Sequence, residues 1–121
     1  MTENESRVTF YFDARLPASE SYLEPLREML RQAFAAMDYP ALEASEMAGA
    51  IEAVIARDLP LAHGRGEVHL RLTRDAGEFH VDVTAPHLPR TPPPAGLMDR
   101  VSVHSDRGGM RHRFTRHLPG R

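Results

Sequence analysis

The order in which hydrophobic periodicity changes along the chain limits its fold more than any other feature. A period-two stretch at 7–16 is followed by two long stretches of helical period, at 17–40 and 41–59. Two further period-two stretches lie at 67–74 and 78–85. Apolar residues at every second position are typical of a strand with one buried face, and a stripe at every third and fourth position is typical of an amphipathic helix. This part of the chain therefore predicts strand, helix, helix, strand, strand.

Prolines and a serine set the limits of the two helices. Ser19 is a suitable N-cap for the first helix, but Pro25 would interrupt an interior turn. We therefore expect the helix to start near Leu23, with Pro25 in the first turn, where a missing N–H costs little. The second helix is predicted between Pro40 and Pro60. It is more continuously apolar than the first, which indicates burial against a sheet.

The C-terminal part of the chain predicts a loop and a last hairpin. Five prolines in the eleven residues 86–96 exclude a helix or an inner strand and predict a stiff loop. The tetrapeptide at 97–100, LMDR, is compatible with one helical turn, and strands at 101–105 and 110–118 follow. We therefore expect an α+β fold, a two-layer α/β sandwich in which a mixed, mostly antiparallel sheet carries both long helices on one face. Polar residues of the central strands predict a solvated outer face: His69, Arg71, Thr73, His80, Asp82 and Thr84.

Length and composition exclude several classes of protein. At 121 residues the chain is predicted to form one domain, 1–121, with a disordered polar tail at 1–6. No run approaches the roughly 18 apolar residues that span a bilayer, and the N-terminus lacks the pattern of a signal peptide. The absence of cysteine excludes disulfides and thiolate chemistry, and the absence of lysine excludes a Walker-type phosphate lysine. We expect a soluble, cytoplasmic protein with no membrane contact.

Charge and histidine spacing bear on partners and metals. Residues 1–60 hold eleven acidic residues and five arginines, whereas 61–121 hold six and ten. The C-terminal arginines alternate across strand faces, which favours a solvated face over nucleic-acid binding and leaves an acidic partner as the alternative. The histidines show no metal-ligand spacing and are predicted to be ordinary exposed strand residues, with no metal site. They are His63, His69, His80, His87, His104, His112 and His117.

Four short segments carry a further pattern. They are AGAIEAVIARDL in the second helix, Thr84-Ala85-Pro86 after a central strand, TPPPAGLMDRV after the prolines, and VSVHSDRGGMRHRFTRHLP in the last hairpin. Together with the element order, they resemble the Bergerat-type ATP-binding domain of the GHKL superfamily (HATPase_c-like). The resemblance is strongest to the small anti-sigma-factor serine/threonine kinases of bacteria, and it covers the chain from about Val8 to Leu118.

The resemblance assigns roles to individual positions. In that family the second helix carries a glutamate that acts as general base and, four residues later, an asparagine that holds magnesium; here these positions are Glu52 and Ala56. An Asp-x-Gly turn that binds adenine is replaced by Thr84-Ala85-Pro86. Of the glycine-rich lid, Gly96 and Leu97 remain, but prolines without amide hydrogens precede them.

The replacement of the magnesium ligand, the adenine-binding turn and the lid glycines implies that the fold is retained but no longer binds or hydrolyses nucleotide. Glu52 is then an inactive remnant, exposed or paired with an arginine such as Arg57 or Arg100, and Thr84, Gly96 and Leu97 are remnants of a nucleotide site. We expect a regulatory, non-enzymatic, protein-binding module of bacterial signalling, anti-sigma-factor-like and without a cofactor. The alternative is an active serine/threonine kinase that binds Mg-ATP in an atypical site, with Glu52 as base.

The resemblance also implies where a partner binds. The expected partner is a sigma factor or an antagonist protein, which in the family contacts the first helix and the region of the lid. The predicted contact residues are Glu24, Arg27, Glu28, Arg31 and Arg90. Stiff prolines in the loop reduce the entropy lost on association. The sequence leaves open whether two copies pair as a homodimer.

Overall fold

Five strands and two long helices appear in the predicted order in the computed structural model, which describes residues 10–75, 77–93, 96, 98–107 and 109–117. None of the helices in this described part is long and apolar enough to cross a membrane. The elements are β1 Phe10–Pro17, α1 Leu23–Ala36, α2 Ala41–Arg57, β2 Glu67–Arg74, β3 Glu78–Ala85, β4 Arg100–Asp106 and β5 Gly109–His117. Short 3-10 turns at Glu20–Tyr22 and Leu59–Ala62 flank the helical pair. The predicted tail at 1–6 lies outside the described residues.

The strands form one sheet in the order β1-β2-β3-β5-β4. All four neighbouring pairs are antiparallel, so the expectation of a mixed sheet is wrong for the described strands. Two hairpins supply the pairs β2-β3 and β4-β5, and β2 returns beside β1 after the helices. No parallel crossover is therefore needed. The α+β class and the two helices beside the sheet are as expected.

The helices cover one face of the sheet. Phe79 of β3 lies at the centre of an aromatic cluster, with ring centroids 5.4 Å from Phe34 and 5.6 Å from Tyr39. Apolar residues of both helices and of the inner strands form one buried core: Leu26, Leu30, Met47, Ile51, Ile55, Leu70, Leu72, Val81 and Val83. Burial of this apolar surface is the main favourable term in the fold.

Helix limits follow the proline positions. α1 begins at Leu23, and Pro25 occupies its first turn, as predicted from its missing N–H. α2 begins directly after Pro40. α1 ends where Asp38 takes a left-handed conformation (φ 63°), which reverses the chain toward α2. The expected helical turn at 97–100 is wrong for its described residues, since Arg100 already begins β4.

The outer face of the sheet is polar, but it is not fully solvated as predicted. Asp82 and Thr84 of β3 are only 5% and 8% exposed, and Thr115 of β5 is 1% exposed. They lie on inner strands, and the long side chain of Arg113 extends over the face and binds the Asp82 carboxylate with two hydrogen bonds, of 2.8 and 3.0 Å. The sheet therefore has one apolar and one ionic face.

Candidate functional site

Glu52, the residue that the sequence resemblance predicts as a general base, is engaged with the neighbouring helix. Its side chain is 24% exposed, and its Oε1 lies 3.8 Å from Nε of Arg27 on α1. The arginine partner is thus Arg27 instead of Arg57 or Arg100, because α1 packs along α2. An ion pair this long with a half-exposed arginine contributes at most about 1 kcal/mol. The carboxylate therefore lies between two helices.

Ala56, one turn after Glu52, forms part of the wall of an apolar pocket at the C-terminal end of α2. We call this the helix-end pocket; its volume is about 360 Å³. Its apolar lining consists of Ala18, Leu23, Ala56, Leu59 and Pro60. An asparagine at position 56 would bring an amide to this wall, whereas alanine adds no polar side chain; Ser19 and Glu20 supply the polar part of the lining.

Two large apolar side chains next to the helix-end pocket in the sequence are exposed to solvent. Tyr22 is 40% exposed and Leu61 is 66% exposed. Tyr22 immediately precedes the pocket residue Leu23, and Leu61 immediately follows Pro60. The segments that line the helix-end pocket thus also carry exposed apolar groups that a partner could cover.

Thr84, the second remnant of the predicted nucleotide site, lies on the other face of the sheet. Its neighbours Val83 and Ala85 belong to the core beneath the helices. Thr84 instead pairs in register with His69 and Arg111 and lines a polar cleft with them. Since successive side chains of a strand point to opposite faces, the sheet separates Thr84 from Glu52 on α2. The structure does not bring these two predicted site residues together.

The predicted lid residues are only partly described. Gly96 is exposed and has a left-handed backbone (φ 59°), and Leu97 lies outside the described residues. Among the described residues, the cavity between α2 and the proline segment has a volume of about 230 Å³, with Val54, Pro92 and His112 in its lining. Typical ligand pockets occupy roughly 300–1,000 Å³. The space at this position is therefore small for a nucleoside triphosphate.

Two buried histidines tie down the start of the proline segment. His87 is 6% exposed and its Nε2 donates to the carbonyl oxygen of Ile55 on α2, at 2.8 Å. His112 is fully buried and its Nε2 donates to the carbonyl oxygen of Pro89, also at 2.8 Å. The prediction of exposed histidines is wrong for both. Their bonds fasten the segment to α2 on one side and to β5 on the other.

A signal for one of these histidines was present in the sequence. His112 lies in phase with the apolar residues Met110 and Phe114, so its side chain faces the core with theirs. Because a carbonyl oxygen only accepts, Nε2 carries a proton in both rings. Both Nδ1 atoms are buried and have no hydrogen-bond partner among the described residues. No comparable pattern marks His87.

The predicted partner-binding residues on α1 are partly neutralised within the protein. Arg31 binds Glu28, and this hydrogen bond is the main reason that the pKa of Glu28 is lowered to about 2. Arg27 makes the long ion pair to α2 described above. Glu24 is exposed on α1, and Arg90 is exposed on the proline segment. The helix therefore presents a balanced charged surface.

An ionic network covers the outer face near β1. Asp13 accepts hydrogen bonds from His69 at 2.9 Å, Tyr11 at 3.1 Å and Arg71 at 3.3 Å. Burial raises the pKa of Asp13, but the bonds from His69, Tyr11 and Arg71 together outweigh it, and the pKa is lowered below its usual value. On the same face, the hydrogen bond to Asp82 raises the pKa of Arg113 above its usual value. This face is held by paired charges.

A scan of protein-family models found none that matches the chain, and a search of curated proteins found no match either.

Proposed function

We propose that this chain is a protein-binding regulatory module of bacterial signalling, related to anti-sigma factors, in which the nucleotide site has been lost. The observation that carries the proposal is the separation of the two site remnants. Glu52 is paired with Arg27 between the helices, and Thr84 lies on the far face of the sheet. A general base without a metal ligand or a nearby phosphate site has no route to phosphoryl transfer.

The helix-end pocket is the partner-binding feature that we favour. Ala56 makes its wall apolar at the position where the resembled family holds its metal ligand, and the exposed Leu61 adjoins it in the sequence. An apolar side chain of the partner would fill the pocket, and the charged surface of α1, including Glu24, would surround the contact. Burying a leucine-sized side chain contributes about 1.5–3 kcal/mol. The partner that the resemblance suggests is a sigma factor or its antagonist protein.

Calorimetric titration with Mg-ATP tests the loss of the nucleotide site. We expect no binding heat at millimolar nucleotide, and no difference between the parent protein and Glu52→Ala. Micromolar binding that disappears in Glu52→Ala would instead support the alternative, an active kinase. Folding of the variant is checked by circular dichroism, because the Glu52–Arg27 pair is weak and its removal should leave the fold intact.

Capture of the partner from native cell extract tests the binding surface. The informative variant is Leu61→Asp, and the matched control is Leu42→Asp, which changes a 76% exposed leucine at the other end of α2. Both sites are exposed, so neither substitution should disturb the core. A partner retained by Leu42→Asp and lost by Leu61→Asp supports the helix-end pocket; equal retention by both excludes it.

A further inference from the structure

The turn between β2 and β3 brings two carboxylates to one imidazole nitrogen. Nε2 of His80 lies 3.2 Å from Oε1 of Glu78 and 3.7 Å from Oδ2 of Asp75. One atom from each of the three side chains lies within 4.8 Å of the others. The side chain of His80 is 13% exposed, that of Glu78 is 25% exposed and that of Asp75 is 38% exposed, so all three are partly buried. We call Asp75, Glu78 and His80 the turn triad.

These separations match those within a metal coordination sphere. Zinc bonds to histidine nitrogen and carboxylate oxygen are about 2.0–2.2 Å long, which places two ligands of a tetrahedral site about 3.3–3.6 Å apart. The measured distances from His80 to Glu78 and Asp75 bracket this range. The two carboxylates therefore lie at distances from the imidazole nitrogen that suit a shared ion, and all three ligand atoms lie within 4.8 Å of one another.

Groups outside the turn triad hold two of its members in place. Nδ1 of His80 lies 2.9 Å from the hydroxyl oxygen of Thr115, which is 1% exposed. If Nδ1–H donates to this hydroxyl, the lone pair of Nε2 points toward the carboxylates, as in metal-bound histidines that are fixed by an outer partner. Asp75 accepts a long hydrogen bond on Oδ1 from the backbone N–H of Gly77, at 3.4 Å, and presents its other oxygen to His80.

We propose that Asp75, Glu78 and His80 bind a zinc ion. An imidazole with two carboxylates suits zinc better than magnesium or calcium, which take oxygen ligands almost exclusively. The two carboxylates balance the charge of the ion, and three protein ligands leave one coordination position for water. Oε1 of Glu78 also lies 3.8 Å from Arg100, and its Oε2 lies 3.8 Å from His117, so a zinc ion would compete with the exposed Arg100 for this carboxylate.

The site would act by joining the turn to the sheet. Asp75 lies in the connection, Glu78 at the first position of β3, and His80 on the strand beside β5. The helix-end pocket lies at the opposite end of β2, next to Gly64, about 25 Å along the strand. Zinc binding and partner binding can therefore be tested separately.

Titration of the tag-free, full chain with zinc chloride tests the proposal. We expect one zinc ion per chain and a rise in melting temperature with zinc, because an ion that binds only the folded state stabilises it. Magnesium chloride at the same concentrations should give neither effect. A parent protein that does not bind zinc would overturn the proposal and leave the turn triad as a local contact of His80 with two carboxylates.

Matched variants locate the bound ion. His80→Ala should abolish zinc binding, whereas His69→Ala should retain it, since His69 contacts a single carboxylate, that of Asp13. Asp75→Asn provides the test if His80→Ala does not fold, because the turn residue is 38% exposed and the amide keeps the acceptor for Gly77. Zinc binding that is unchanged in these triad variants, or lost equally in His69→Ala, would refute the assignment. Thr115→Val, a positioning variant, should weaken binding about tenfold.

Discussion

Removing either partner of the Asp82–Arg113 pair should destabilise the protein, but by unequal amounts. The Asp82 side chain is 7% exposed and the Arg113 side chain is 40% exposed. In Asp82→Ala the Arg113 guanidinium can reach water, which partly replaces the two lost charge-assisted hydrogen bonds. The free energy of unfolding should therefore fall by about 1–2 kcal/mol. In Arg113→Met the carboxylate stays buried without its partner, and the cost rises to about 2–4 kcal/mol.

The double variant gives the sharper result. Once Arg113 is methionine, the buried Asp82 carboxylate is a liability, so adding Asp82→Ala should recover about 1 kcal/mol of the free energy of unfolding. The two residues are register partners on β3 and β5, and Arg71 of β2 stands opposite Asp82 on its other side. A new contact from Arg71 would reduce the cost of Arg113→Met, which is why the lower limit is only about 2 kcal/mol.

Urea unfolding at pH 7, followed by far-UV circular dichroism, measures all four proteins. We expect the order parent, Asp82→Ala, double variant, Arg113→Met from most to least stable, with Asp82→Ala and the double variant close together. Equal costs for the two single variants, or a double variant that is the sum of both, would refute the view that burial of the carboxylate determines the asymmetry. A change in the slope m would mean that the compactness of one state had changed.

Two further predictions concern the backbone and pH. Gly109→Ala should lower the free energy of unfolding by about 3 kcal/mol, since Gly109 has φ 124° and an added Cβ would lie 2.3 Å from the carbonyl oxygen of Ala85. Gly64→Ala, at φ 71° with no atom within 4 Å of the added Cβ, should cost only about 1 kcal/mol in the same urea unfolding assay, and a larger cost there would contradict the role of the contact. Because the folded pKa of Asp13 lies below its unfolded value, its stabilising contribution is present above the unfolded pKa and is lost as pH falls through the folded pKa. The difference in unfolding free energy between the parent and Asp13→Asn should therefore shrink between pH 6 and pH 2, and a constant difference would exclude this linkage.

Glu52 shows that the position of a residue in a sequence pattern does not determine its contacts in the structure. The sequence raises the question of a carboxylate in an otherwise apolar helix, and the resemblance gives it the position of a general base. In the structure it forms a long ion pair with Arg27 of α1, and Ala56 one turn later is part of an apolar wall. The contact with Arg27 is not encoded near Glu52 in the sequence, since Arg27 belongs to the other helix, 25 residues earlier.

The histidines give a second example of contacts that the sequence pattern did not predict. Spacing along the chain predicted no metal site: Asp75, Glu78 and His80 lie within six residues, but their spacing matches no known metal-binding motif. The structure places the His80 imidazole beside the carboxylates of Asp75 and Glu78 through a turn, and its other nitrogen beside Thr115 on a strand 35 residues later. The hydroxyl of Thr115 could not be assigned to His80 without the register of β3 against β5.

The sequence by itself determined the element order, the limits of the helices at Pro25 and Pro40, and the apolar face of the sheet. These features depend on local chemistry, namely backbone restriction by proline and the period of the apolar residues. Only the tertiary structure decided that all strand pairs are antiparallel, that His87 is buried, and that Thr84 and Glu52 lie on opposite sides of the sheet. Strand order and cross-strand register bring together residues that are far apart in the chain, and no local pattern specifies them.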